Sequence, residues 1–126
     1  MARPRTNGPT ERELQILHIL WERGASSVRD VHTVLNQNSR VGYTSVQKIM
    51  QIMHDKKLVQ RRSAGISHIY HAARSRDATQ GAIVEDVLER VFKGSAMQLV
   101  ARALAVTAAS DEELEAIRAL LEEKRD

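Results

Sequence analysis

Thr44, Gln47, Lys48 and Gln51 stand at i, i+3, i+4 and i+7, the spacing that gathers four side chains on one face of a helix. All four are polar and none is acidic. A hydroxyl, two amides and an ammonium in that array suit one kind of chemistry, hydrogen bonding to base edges and phosphates in a DNA major groove, where a carboxylate would be repelled. Two positions further on, Val46, Ile49, Met50 and Met53 repeat the spacing with apolar side chains able to dock on a core. The spacing therefore predicts a recognition helix over 43–56, although an ordinary amphipathic surface helix would share its apolar stripe.

No competing catalytic chemistry is visible. His18, His32, His54, His68 and His71 have no metal-ligand spacing, and His68 and His71, three apart on an expected strand, point to opposite faces. There is no phosphate-binding glycine loop, nucleophile elbow or carboxylate pair in an apolar setting. The chain is expected not to be an enzyme and to need no cofactor or metal. Cysteine is absent, which excludes disulfides, zinc ribbons and a thiol nucleophile.

A chain of 126 residues has the length of one domain, or of one small domain with an appended oligomerisation segment. The start, MARPRTNGPT, has no apolar run suited to a signal peptide, and no segment reaches the roughly 20 apolar residues of a membrane span, so a cytoplasmic protein without membrane insertion is expected. The net charge of +3 hides an asymmetry. Residues 1–76 carry 13 Lys and Arg against 5 Asp and Glu, whereas residues 77–126 carry 6 against 11. The basic part contains the polar stripe, as a polyanion-binding front would require.

The elements that must position the stripe follow in order. Arg3 and Arg5 lie on a basic arm of a composition that can follow a phosphate backbone or enter a minor groove, and that solvated tails share. Thr10 and Glu13 form a capping-box pattern opening a helix with Leu14, Ile16, Leu17, Leu20 and Trp21 on its apolar side, which Gly24 ends. Trp21 reads as a core anchor. Ser27 and Asp30 open a second helix with Val28, Val31, Val34 and Leu35 buried, and Gly42 can cap the third. Segments 58–62 and 67–72 are short and β-forming, with Gly65 in the turn between them, and read as a hairpin carrying Arg61 and Arg62 near its tip. A hairpin after a recognition helix is a wing that meets phosphates beside the groove.

The runs TERELQILHILW, SVRDVHTVL, YTSVQKIMQIMHDKKLV and RRSAGISHIYHA are similar to the winged-helix domain of the penicillinase and methicillin-resistance repressor family, and the similarity extends over the acidic tail. The resemblance implies a mainly α fold with a small β-hairpin wing: a winged helix-turn-helix, 1–74, followed by a helical dimerisation domain, 75–126. It implies a homodimeric bacterial transcriptional repressor whose two winged helices read a palindromic operator in double-stranded DNA. Thr44, Ser45, Gln47 and Lys48 fall on its groove-facing positions, with Tyr43 near the backbone. Thr44 and Ser45 suit simple helix capping equally well. A winged helix used only for protein contacts, without sequence-specific DNA binding, is the alternative, and such a module would tolerate acidic residues on this face.

Three features depart from the family pattern. Lys57 stands where a glycine helix stop is common, so the turn into the wing is expected to differ locally. The resemblance also implies a membrane sensor and protease that cuts an Asn-Phe bond in the tail, but the corresponding place holds Arg102-Ala103. The cysteine cluster of copper-responsive relatives is missing.

The tail reads as three amphipathic helices. Asp77 with Gln80, Ser95 with Gln98 and Ser110 with Glu113 are capping pairs, and the first helix is expected to run to Gly94. Val84, Val87, Leu88, Val91, Leu99, Leu104, Leu114, Ile117 and Leu121 form apolar faces with too little mutual core to stand alone, so they are expected to bury against a second chain. Packing within the chain onto the winged helix is the competing explanation, against which a dimer supplies the two recognition helices that DNA recognition requires.

Overall fold

In the first capping box the Glu13 backbone N–H donates to the Thr10 hydroxyl at 3.2 Å, and the Thr10 N–H donates to the Glu13 carboxylate at 2.9 Å. Two donors orphaned at the helix start are thereby satisfied, and helix α1 runs over Glu11–Arg23. It stops at Gly24, whose φ of +88° glycine adopts without steric cost. The structure, a computed structural model, describes residues 8–126; Arg3 and Arg5 lie outside the described residues. By internal contacts the chain divides into two units, one ending at Ile83 and the other Val84–Asp126.

In the first unit, strand β1, Ser26–Ser27, precedes helix α2, Val28–Leu35, which Ser27 and Asp30 cap reciprocally at 3.1 Å. Asn36 then ties the connection down. Its side chain donates to the Val41 carbonyl at 2.9 Å and accepts from the Val41 N–H at 3.1 Å, pairing backbone groups that a loop would otherwise leave to water. Helix α3, Tyr43–Asp55, follows with Gly42 as N-cap and no side-chain capping bond.

Lys57 corrects one expectation. The helix stop is retained although the residue is not glycine: Lys57 takes φ +66°, and the Leu58 N–H bonds the Met53 carbonyl at 2.9 Å, the closing bond of a Schellman turn. Strand β2 is Val59–Ala64 and β3 is Ser67–Ala72, so β2 starts one residue later and runs further than the expected 58–62. Their antiparallel pairing sets Arg61 opposite Tyr70 and Arg62 opposite Ile69. The sequence reading missed β1, which pairs Ser26 with Tyr70 and Ser27 with Ile69 and makes β3 the central strand of three. Two serines carry no strand pattern of their own.

The core joins Ile16, Leu17 and Leu20 of α1 and Val31 of α2 to Val46, Met50 and Met53 of α3, with Val59 and Tyr70 from the sheet. Trp21 is only partly buried; its indole N–H donates to the Arg74 carbonyl at 3.0 Å. Glu13 is 4% exposed and receives the Lys56 ammonium at 2.8 Å. That bond ties the start of α1 to the end of α3 and prevents a buried charge from going unpaired.

Helix α4, Arg76–Arg90, begins in the first unit and ends in the second. Ser75 caps it by accepting the Ala78 N–H at 3.0 Å, so the cap is Ser75 rather than the Asp77–Gln80 pair. It ends at Arg90, short of the expected Gly94, whose N–H turns back to the Leu88 carbonyl at 2.8 Å. Helices α5, Ala96–Val106, and α6, Asp111–Arg125, are capped by Ser95 and Ser110, which accept the N–H groups of Gln98 and Glu113.

Candidate nucleic-acid interface

The two stripes of α3 separate as their chemistry requires. Val46, Met50 and Met53 are fully buried and Ile49 is partly buried, whereas Tyr43, Thr44, Ser45, Gln47, Lys48 and Gln51 are exposed. With its apolar stripe packed into the core, the helix leaves its polar side free for a partner, and of its aliphatic side chains only Ile52 is exposed. The start of α3 is placed by Asn36 and the packing of Val41, and its end by Lys57 and by Lys56 on Glu13.

A groove of about 620 Å³ runs beside this polar side. Tyr43, Gln47 and Gln51 line it from α3, Arg29 from the first turn of α2, and Ile66 and His68 from the wing. Thr44, Ser45 and Lys48 are exposed on α3 but do not line it. The Tyr43 ring meets His32 edge-to-face at 5.7 Å, which seats it against α2. At the wing tip, Gly65 takes φ +66° in the turn that lets β2 reverse into β3, and Ile66 beside it is fully solvent-exposed.

The two wing arginines differ. Arg62 is exposed, whereas Arg61 is partly buried and donates to the Gln51 side-chain oxygen at 2.9 Å and the Tyr70 hydroxyl at 3.3 Å. Period-2 alternation along β2 sends neighbouring side chains to opposite faces, and only Arg61 finds partners. Arg29, Lys48 and Arg62 take part in no ion pair among the described residues.

Arg29, Ile66 and His68 were absent from the sequence-based set. Arg29 gave a local signal, a cation in the first turn of the helix before the recognition helix. Ile66 and His68 gave none, because only the folded hairpin brings them beside α3. The histidines do not converge: His71 bonds Gln60 across the hairpin at 2.9 Å, and His68 stacks edge-to-face on Tyr70 at 6.3 Å. Among the described residues no cluster of three metal-ligating side chains occurs, and no helix is long and apolar enough to cross a membrane.

The acidic residue of α2, Asp30, is held in a structural role. Asp30 is kept below the usual carboxylate range, chiefly by the Ser27 backbone N–H, then by the Ser27 hydroxyl and the nearby Arg23 guanidinium. Its charge is spent on the cap of α2.

No curated protein matches the chain. Among solved structures, the homodimeric winged helix-turn-helix DNA-binding domain of a Mycobacterium bovis protein, described as a possible ArsR-family transcriptional regulator, is 24% identical, covers 68% of this chain and 74% of its own, and has a TM-score of 0.46. The model of the penicillinase repressor family matches residues 9–123. With the match running from the α1 cap into the last helix, this chain belongs to the penicillinase repressor family, whose members are transcriptional regulators.

Proposed function

We propose that the chain is a homodimeric transcriptional repressor that binds a palindromic operator, with α3 in the major groove and the wing beside the flanking backbone. The observation that carries this reading is the division of α3, its methionines fully buried and Gln47 and Lys48 exposed. Gln47 suits adenine and Lys48 suits guanine or a phosphate. Tyr43, Thr44 and Ser45 stand at the helix N-terminus, which favours a phosphate. Arg29 on the groove and the exposed Arg62 of the wing supply sequence-independent attraction, to which Arg3 and Arg5 would add.

The dimer reading rests on the tail. None of α4, α5 and α6 contains a buried residue. Val84, Val91, Leu104, Leu114 and Leu121 are exposed, while Val87, Leu88, Leu99 and Ile117 are partly covered. Apolar side chains left open in such number favour a second copy. Two recognition helices about 34 Å apart would match one turn of B-DNA.

The repressor would act in the cytoplasm on double-stranded DNA. Release by a membrane sensor and protease, the family route, would need a cleavage bond other than Asn-Phe; Arg102 and Ala103 lie exposed within α5. The deciding experiment is selection of bound fragments from a pool of random duplex DNA by the full-length protein. A recovered palindrome supports the reading, and a pool that stays random after repeated rounds refutes it in favour of a protein-contact module.

A further inference from the structure

Gln51 and Arg61 entered the candidate site as two independent DNA ligands, yet they are bonded to each other. One terminal nitrogen of Arg61, Nη1, donates to Gln51 Oε1 at 2.9 Å and to the Tyr70 hydroxyl at 3.3 Å. That nitrogen carries two hydrogens, so both are used. The Gln51 amide nitrogen faces Asp55 Oδ1 at 3.5 Å, one helical turn on. A single orientation of the amide therefore serves both neighbours, its oxygen toward the guanidinium and its nitrogen toward the carboxylate. Tyr70 is 3% exposed and opposite Arg61 in the β2–β3 register. The chain of bonds thus starts on α3, crosses to the wing and ends on a ring fixed in the core.

Charge supports the same assignment. Asp55 extends the stripe of Thr44, Lys48 and Gln51 by one more turn, and a carboxylate there would be repelled by a phosphate backbone. The face open to DNA therefore ends before Gln51.

We propose that Asp55, Gln51, Arg61 and Tyr70 form a clamp that sets the wing against the recognition helix, making Arg61 a positioning residue rather than a phosphate ligand and Gln51 a brace rather than a base reader. The clamp itself is a property of the free protein; its effect on affinity rests on the DNA-binding reading above.

The full-length protein and the variants Arg61→Met, Gln51→Met and their combination test it in two ways. In thermal melts the double variant should shift less than the sum of the two single shifts, because either substitution removes the same bond. Additive shifts overturn the clamp. Against a duplex recovered by the wild-type protein from the random pool, Arg61→Met, verified as folded by circular dichroism, should lose affinity on the order of tenfold, the equivalent of one charge-assisted hydrogen bond. The slope of log K against log salt concentration should stay at the wild-type value. A phosphate ligand would instead take about 0.9 from that slope, and that result, or unchanged affinity, overturns the assignment. If the wild-type protein recovers no duplex, the proposed function fails while the melting cycle still decides the clamp.

Discussion

Lys57 holds φ at +66° at the joint between the recognition helix and the wing, a conformation in which its Cβ crowds the following carbonyl. A left-handed non-glycine residue costs roughly 1–2 kcal/mol. Glycine would remove that cost but bring back about 0.5–1 kcal/mol through its greater freedom in the unfolded chain. Lys57 takes part in no ion pair among the described residues, so no partner is lost. Lys57→Gly should therefore stabilise the protein by about 0.5–1 kcal/mol, with the melting temperature rising by roughly 2–8 °C for a unit of this size. Gly65→Ala is the mirror experiment. Gly65 has φ +66° and nothing within 4 Å of an added Cβ, so no clash enters, and the strain of roughly 1–2 kcal/mol, offset by about 0.5–1 kcal/mol through the unfolded chain, should lower stability by about 0.5–1 kcal/mol. Both variants are to be melted beside wild type by circular dichroism at one protein concentration, because a dimer melts in a concentration-dependent way. A neutral or destabilising Lys57→Gly would show that the turn carries no strain and refute the reasoning.

Three other outcomes are expected. Gln47→Ala and Lys48→Ala should each weaken binding to a selected duplex by roughly 1–3 kcal/mol with the fold intact; equal affinity in a fluorescence titration would remove them from the interface. Asp30→Asn should flatten the acid limb of the stability curve: with the folded carboxyl held below its unfolded value, the stabilisation is full above the unfolded pKa and lost as pH falls through the folded one. Urea titrations of the two proteins between pH 2 and 7, roughly the carboxylate window, would contradict this if their curves ran parallel. Leu104→Arg with Leu121→Arg, two charges on the open tail faces, should give monomers in sedimentation velocity, and a persisting dimer would move the interface off these helices.

Helix positions were legible because their determinants are local. Thr10 with Glu13, and Ser27 with Asp30, reach only three residues along the chain, and the period of Val46, Met50 and Met53 names the buried side of α3 before any partner is known. The reading slipped at α4, where Ser75 competed with Asp77 for the cap within the same few residues and boundary patterns overlapped.

From the amino-acid order alone came the winged-helix plan, the polar stripe of α3 and the basic front, since periodicity, capping and charge are properties of neighbouring residues. Tertiary structure decided the rest. Strand β1 exists because β3 returns to pair with Ser26 and Ser27. Glu13 reaches Lys56 across 43 residues, and Arg61 reaches Gln51 across 10. Such partners have no sequence period linking them; they meet only after the core has packed, when a buried carboxylate or a half-covered guanidinium must bond whatever polar group the fold has brought within reach.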